Sequence, residues 1–309
     1  MSELHVIFGT GPLGRYTAEA LLQEGHLVKL INRTGKMELP PTGAEVIKAD
    51  ALNTNEIILI TKGAKTIYQC AQPPYHQWKE AFPALQKAIL KVAAENGVKL
   101  VAAENLYMYG NTNGKPMTEA TPYNPCSKKG KIRTEMTNAL FAAYKRVDAE
   151  VAAVRGSDFF GPWEPINGDM IFKAALQHKT INMLGNLEQP HTFTYVKDFG
   201  KALAIAGTHE QATGKVWHVP SGRAYTQKEL LKLLSEQLGY EVKGRGAGKF
   251  MLSFIGLFNP GVQEVVEMLY EFTGPFIMDA TAMEATFGLK PTPMEQRIAE
   301  TLEWARAKQ

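Results

Sequence analysis

The apolar positions of this chain change period along its length, and each change marks an element. Leu4–Phe8 is an apolar run of strand length. A helical pattern follows, with Ala18, Leu21 and Leu22 on one face and a stop at Gly25. Leu27–Ile31, Glu45–Lys48 and Thr66–Ala71 read as strands, with a helix near Asn55–Gly63 before the last of them. Phe82, Leu85, Ile89 and Val92 predict a long helix across Gln77–Gly97, which Pro83 should kink or delay. Val98–Ala103 reads as a strand, and Asn111–Asn124, rich in Asn, Gly, Thr and Pro, as a loop. Ile132, Met136, Leu140, Ala143 and Val147 predict a second long helix over Lys131–Ala149, before a strand at Val151–Val154. Strand and helix alternate, the pattern of a parallel sheet wrapped by helices.

The second half is less regular. Thr226-x-x-Glu229 is a capping box opening a helix with Leu230, Leu231, Leu234 and Leu238. Thr292-Pro293-x-Glu295 reads as another, with proline at the first helical position. Val262–Phe272 reads as a helix stopping at Gly274-Pro275. Phe250–Phe258, broken by Ser253 and Gly256 and ending at Asn259-Pro260, is the longest apolar stretch. It falls far short of the roughly 20 residues of a membrane span, and a buried helix is expected there in preference to an exposed surface.

Composition narrows the classes. The 309 residues are 45% apolar and 21% charged, which is ordinary for a globular protein with a full core. The length allows two domains, or one α/β unit with an inserted or appended cap. The net charge of +3 comes from interspersed residues, which argues against a nucleic-acid partner. No basic region followed by an apolar core opens the chain, so a cytoplasmic protein with no membrane partner is expected. Cys70 and Cys126 form neither a disulfide framework nor a metal-ligand spacing, so isolated thiols and no metal are expected.

The chemistry starts at Gly9-Thr10-Gly11-Pro12-Leu13-Gly14, a G-x-G-x-x-G turn between a strand and a helix. Its glycines suit a tight turn, close approach to a pyrophosphate and close helix–strand packing, with the helix N-terminus facing the phosphates. NAD sites place an acid about 20 positions further on, whereas NADP sites place a cation there. Here the second strand ends Ile31-Asn32-Arg33-Thr34-Gly35-Lys36, with no acid. Arg33 offers a planar fork for the extra phosphate and Lys36 a second charge, although a solvated turn would also suit Arg33. NADP(H) is the expected cofactor, with NAD the alternative.

Further segments carry a resemblance. They are Lys48-Ala49-Asp50-Ala51, Tyr68-Gln69-Cys70-Ala71, Tyr109-Gly110, Thr118-Glu119 with Pro122 and Asn124-Pro125, Val154-Arg155-Gly156-Ser157-Asp158-Phe159-Phe160-Gly161-Pro162, Phe193-Thr194-Tyr195-Val196-Lys197-Asp198, and Val216-Trp217-His218-Val219. Together they resemble the extended short-chain dehydrogenase/reductase superfamily, in its NAD-dependent epimerase/dehydratase branch. The resemblance implies an α/β fold, a Rossmann-type doubly wound parallel sheet with a smaller C-terminal substrate-binding cap. Residues 1–155 with 193–219 would form the dinucleotide-binding domain, and 156–192 with 220–309 the interleaved cap. It also implies Asp50 and Ala51 beside adenine, and Cys70, Ala71, Gly156 and Asp158 toward the nicotinamide. Homodimers of such proteins pack two long helices into a four-helix bundle, here near Gln77–Gly97 and Lys131–Ala149.

The catalytic signature departs from that pattern. Asn105 stands where the superfamily has Ser or Thr, and Lys129-Gly130-Lys131-Ile132-Arg133 stands in place of Tyr-x-x-x-Lys. The literal Tyr75-His76-Gln77-Trp78-Lys79 lies in the loop after the fourth strand, the wrong place for that dyad. The expected catalytic set is therefore Asn105 and Lys129 as hydrogen-bond donors to a substrate oxygen. Arg133 would touch the nicotinamide ribose and lower the pKa of Lys129, itself a cofactor-ribose candidate, and Tyr107 is the alternative phenol. Tyr75, Trp78, Tyr107, Arg155, Phe159, His191 and Tyr195 are the candidate substrate residues. His191 also reads as a surface loop residue, and Asp198 as a helix cap or a ligand contact. The reading that follows is an NADP(H)-dependent oxidoreductase acting on a small organic carbonyl or enone. A catalytically silent NADP(H)-binding redox sensor is one alternative. A nucleotide-sugar epimerase or dehydratase is the other, weakened by the missing tyrosine.

Overall fold

The structure is a computed structural model that describes residues 2–258 and 260–308; the stop expected at Asn259 and the final residue of the expected cap lie outside the described residues. The first half lays down β1 (Leu4–Phe8), α1 (Pro12–Gln23), β2 (Leu27–Asn32), β3 (Ala44–Lys48), α2 (Thr54–Ile60), β4 (Ala64–Gln69), α3 (Trp78–Asn96), β5 (Lys99–Glu104), α4 (Lys128–Lys145) and β6 (Val151–Arg155). The chain then passes through β7 (Phe159–Phe160), α5 (Ile171–Leu176), β8 (Ile181–Leu184), β9 (Thr194–Tyr195) and α6 (Val196–Thr208) before returning as β10 (Val216–His218).

β10 pairs with β6, Val216 against Ala153, and completes a seven-stranded sheet of order β10-β6-β5-β4-β1-β2-β3. Its pairings are parallel. The chain moves outward from β1 in both directions, so a crevice opens at the carboxyl ends of β1 and β4, where ligands of doubly wound sheets bind. Apolar residues cover both sheet faces. Ala18, Leu21, Phe199 and Leu203 of α1 and α6 pack on one, while Ile57, Ile89, Val92 and Leu140 of α2, α3 and α4 pack on the other. This is the doubly wound Rossmann-type sheet.

The remaining elements are α7 (Gln227–Leu238), β11 (Gly244–Ala247), α8 (Lys249–Gly256), α9 (Pro260–Val266), α10 (Tyr270–Thr273), α11 (Thr281–Phe287) and α12 (Met294–Ala307). α5, β8, α7 and α12 share a separate core of Phe172, Ile181, Leu231, Leu234, Ile298 and Leu302.

Several local expectations change. α4 begins at Lys128 because the Ser127 hydroxyl accepts from Gly130 N at 3.0 Å, which puts Lys129 in the first turn. α4 ends at Lys145, and Val147, expected on its buried face, is 91% exposed with positive φ. Pro83 lies inside α3, which still starts at Trp78. The Thr226–Glu229 box forms with reciprocal bonds of 3.0 and 2.7 Å. Thr292 caps nothing. Its N–H and hydroxyl both donate to the buried Asp198 carboxylate, at 2.8 and 2.7 Å, and α12 starts after Pro293. Asp198 is thereby a tie between α6 and the start of α12. Val262–Phe272 divides into α9 and α10. The expected burial of Phe250–Phe258 fails as well: Phe250, Phe254, Leu257 and Phe258 are 91%, 61%, 74% and 81% exposed. α8 is two turns long and packs on the equally short α9, which cannot cover all its faces. Among the described residues, no helix is long and apolar enough to cross a membrane.

Candidate functional site

The glycine turn closes the crevice at its β1 side. Gly9 has φ +111°, and a Cβ there would lie 2.7 Å from Ala71 N, at the end of β4. A Cβ on Gly14 would lie 2.0 Å from the Gly9 oxygen. Both glycines are thus fixed by packing. Gly11 differs, because a Cβ there meets nothing within 4 Å and faces open space. No side chain caps α1, whose first residue is Pro12, so its N-terminal end is free to face an anion. Those features fit a dinucleotide pyrophosphate.

Asn32 ties β2 to this turn. Its Nδ2 donates to Thr10 Oγ1 at 2.7 Å and to Lys36 O at 2.8 Å, and its Oδ1 accepts from Thr34 N and Gly35 N at 3.0 and 2.6 Å. Next to it lies a cavity of about 250 Å³ lined by Thr10, Gly11, Pro12, Arg15, Lys36 and Trp163, together with Met37 and Glu38. Arg15 donates to the backbone oxygens of Leu39, at 2.6 Å, and Glu38, and it stacks 4.0 Å from the centre of the Trp163 ring. Arg33 and Lys36 are exposed, and among the described residues no ion pair or side-chain hydrogen bond engages the Arg33 guanidinium. Leu13 packs into the core under α1, Asp50 Oδ1 accepts from Leu52 N at 3.0 Å, and Ala51 is half-buried. Burial pushes the Cys70 thiol up to about 12, which makes it inert.

At the far end of the crevice, Asn105 follows β5. Its Oδ1 accepts from Tyr107 N at 3.3 Å, and among the described residues nothing engages Nδ2, so that donor is free. The Tyr107 and Tyr75 hydroxyls are 2.7 Å apart, and burial raises both phenols above their ordinary value. The Tyr75 ring stands edge-on to Trp78, whose Nε1 donates to Pro73 O at 2.9 Å and fixes the loop. The Lys129 ammonium lies 5.1 Å from the centre of the Tyr75 ring.

Lys129 does not have the expected surroundings. It is buried against two carboxylates, Glu264 of α9 and Glu267 just beyond it, the latter at 2.9 Å. Arg133 points away into the sheet. It donates to Ala103 O at 3.3 Å, lies 3.5 Å from Glu104 and stacks 4.9 Å from the Phe82 ring. Its Nε has no partner among the described residues. The expected cation pair is therefore absent, because Glu104 draws Arg133 inward.

Other candidates are occupied elsewhere. Arg155 is fully buried and donates to Glu104 at 2.9 Å and to the Tyr109 and Tyr123 hydroxyls, each at 2.6 Å. This interior strut is closed to a substrate. Tyr195 donates to Glu300 at 2.6 Å beside a second cavity, between α1, α6 and α12. It belongs to that face and not to the crevice. Phe159 stands edge-on to Phe199 in the sheet core. Gly156 is held by the same ring, since a Cβ would lie 2.6 Å from Phe199. His191 is buried, stacked on Phe272, with Nε2 2.9 Å from Asp158 and Nδ1 3.1 Å from Glu271 O, so it is no surface residue.

The same region contains groups that sequence reasoning missed. Glu271 is fully buried, and among the described residues neither its Oε1 nor the Tyr270 hydroxyl has a hydrogen-bond partner. Burial, then the Asp158 charge, hold the Glu271 carboxyl well above the usual range. Tyr270 packs on the Trp78–Tyr107 cluster. Glu164 is raised to about 7 by burial while accepting from Gly168 N at 2.8 Å. In sequence, Tyr270-Glu271-Phe272 reads only as helix, because its partners come from remote segments. The crevice can thus accept a phosphate-bearing cofactor at one end and present an amide donor, paired phenols and neutral acids at the other.

Comparison with known proteins agrees with the fold. The model of the NAD dependent epimerase/dehydratase family matches residues 6–219. Among curated proteins, the mouse (Mus musculus) sterol-4-alpha-carboxylate 3-dehydrogenase, decarboxylating, is 25% identical over 296 residues, covering 91% of this chain and 81% of that protein. Among solved structures, dTDP-glucose 4,6-dehydratase from Bacillus anthracis, in complex with NAD, superposes with a TM-score of 0.82 at 17% identity, covering 100% of this chain and 98% of that one. UDP-glucose 4-epimerase from Thermotoga maritima, with UDP-glucose, gives 0.80 at 18% identity and 99% coverage of both chains. At these identities the two structures share the fold alone.

Proposed function

The chain belongs to the NAD-dependent epimerase/dehydratase family, and from that premise we propose that it is an NADP(H)-dependent oxidoreductase acting on a small, uncharged organic carbonyl or enone. Residues 1–155 with 193–219 hold the cofactor, and 156–192 with 220–309 form the substrate side. The turn at Gly9–Gly14 takes the pyrophosphate, and Arg33 with Lys36 takes the additional phosphate. When bound, the cofactor supplies or accepts a hydride.

The observation that carries the reading is the free Asn105 Nδ2 beside the Tyr75–Tyr107 hydroxyl pair. In the reducing direction the amide donates to the substrate oxygen as negative charge builds on it, a preorganised stabilisation. One hydroxyl of the pair releases its proton to that oxygen and is reprotonated through its neighbour from water. The carbon gains the hydride, the oxygen gains the proton, and an alcohol results. Burial raises both phenols, so each keeps its proton until the more basic alkoxide oxygen forms beside it. Lys129 positions the Tyr75 ring and anchors α9 through Glu264.

Charge favours an uncharged substrate over a nucleotide diphosphate. Lys129, Arg133 and Arg155 are each already beside a carboxylate, so none of the three is left to meet a diphosphate. The clamp of Lys129 by α9 also suits the second reading, a silent cofactor-binding sensor. Assaying NADPH oxidation with a panel of aldehydes, ketones and enones separates them. Turnover is expected, falling about 100-fold or more in kcat for Asn105→Ala. Tight NADPH binding with no turnover across the panel overturns the oxidoreductase reading.

A further inference from the structure

The amino end of β1 lies across the sheet from the glycine turn and meets the bend that ends α1. Glu3, His5 and His26 converge there, each offering a ligand atom within 4.8 Å of the others. His5 is fully buried, and its Nε2 has no hydrogen-bond partner among the described residues. A buried imidazole nitrogen left unpaired is costly and calls for a partner. His5 Nδ1 lies 3.0 Å from the buried Tyr68 hydroxyl, which fixes the ring and leaves Nε2 as the available nitrogen. Metal-bound histidines are held by their other nitrogen in the same manner.

His26 stands edge-on to His5, with ring centres 4.6 Å apart. Its Nδ1 accepts a long 3.4 Å bond from Glu3 N, and its Nε2 lies 3.9 Å from the Glu24 carboxylate.

We infer that Glu3, His5 and His26 form a binding site for one divalent transition-metal ion, with Zn²⁺ the fitting case. Two imidazoles and a carboxylate are a borderline donor set suited to such ions. Bond lengths of about 2.0–2.2 Å require the donors to close in by as much as about 1.5 Å, through rotation of the half-buried Glu3 and His26 side chains. Water or Glu24 completes the shell. The ion would pin the start of β1 to the turn after α1, and so act on stability without touching hydride transfer. The sequence gives no sign of this site, because His26 joins Glu3 and His5 only through the β1–β2 pairing.

The test uses the full, tag-free chain stripped by a chelator and titrated calorimetrically with ZnCl₂ at pH 7.5. One saturable site is expected, with a thermal midpoint raised by roughly 5 °C at about a hundredfold excess over Kd. His26→Ala and Glu3→Gln, both outside the buried core, should each weaken binding about tenfold or more and leave NADPH affinity unchanged. No saturable zinc binding by the wild type overturns the proposal. So does binding that survives both substitutions, or that is lost instead in Cys126→Ser.

Discussion

Two glycines of the turn expected to hold the pyrophosphate should fail in different ways when substituted, and the difference tests how the turn works residue by residue. Gly14→Ala puts a methyl 2.0 Å from the Gly9 oxygen, so the turn must distort. It should lower the thermal midpoint as well as abolish NADPH binding. Gly11→Ala meets no protein atom within 4 Å. That variant should keep the wild-type midpoint and lose NADPH binding alone, because its methyl takes the space the phosphate needs. A fluorescence titration beside a thermal melt reads both, and a Gly11→Ala variant that binds normally removes the phosphate from this turn. These glycines were legible because their spacing between a strand and a helix has a steric cause. Arg155 and Tyr195 were misplaced because pattern gives a side chain's position on a strand but not its partner. Glu104 and Glu300, which hold them, lie 51 and 105 residues away in sequence.

At the scale of elements, capping decides where chemistry sits. Ser127 starts α4 three residues earlier than apolar periodicity implied, since the first turn carries Lys128, Lys129 and Gly130 and no apolar stripe. The short α8 and α9 were the least legible, because helices of two turns show too little periodicity to tell a buried face from an exposed one. Glu164 caps the Pro165–Met170 turn with its carboxylate, accepting from Ile166 N and Gly168 N. Its carboxyl is raised from 4.5 to about 7, so the folded state holds the proton more tightly than the unfolded one. The resulting stability is fully present below about pH 4.5 and is lost as pH rises through about 7. The full effect is on the order of 3 kcal/mol. Thermal melts between pH 5 and 8 should therefore show a fall in wild-type stability that Glu164→Gln flattens. Parallel curves for the two proteins would contradict this.

At the scale of the molecule, the sheet and its crevice were legible because alternating strands and helices, with a glycine turn after β1, leave few parallel topologies. The far end of the crevice was not. Its acids and phenols come from the loop after β4, the turn after β5, the segment after β6 and α10, and no local pattern links them. In the proposed function this crevice binds NADP(H) through a cation at the end of β2. Titrating NADPH and NADH into the wild type and Arg33→Ala tests it most directly. The wild type should bind NADPH about tenfold to a hundredfold more tightly than NADH, and Arg33→Ala should lose most of that preference while its NADH affinity stays the same. Equal affinities for the two cofactors in the wild type would mean that Arg33 holds no phosphate.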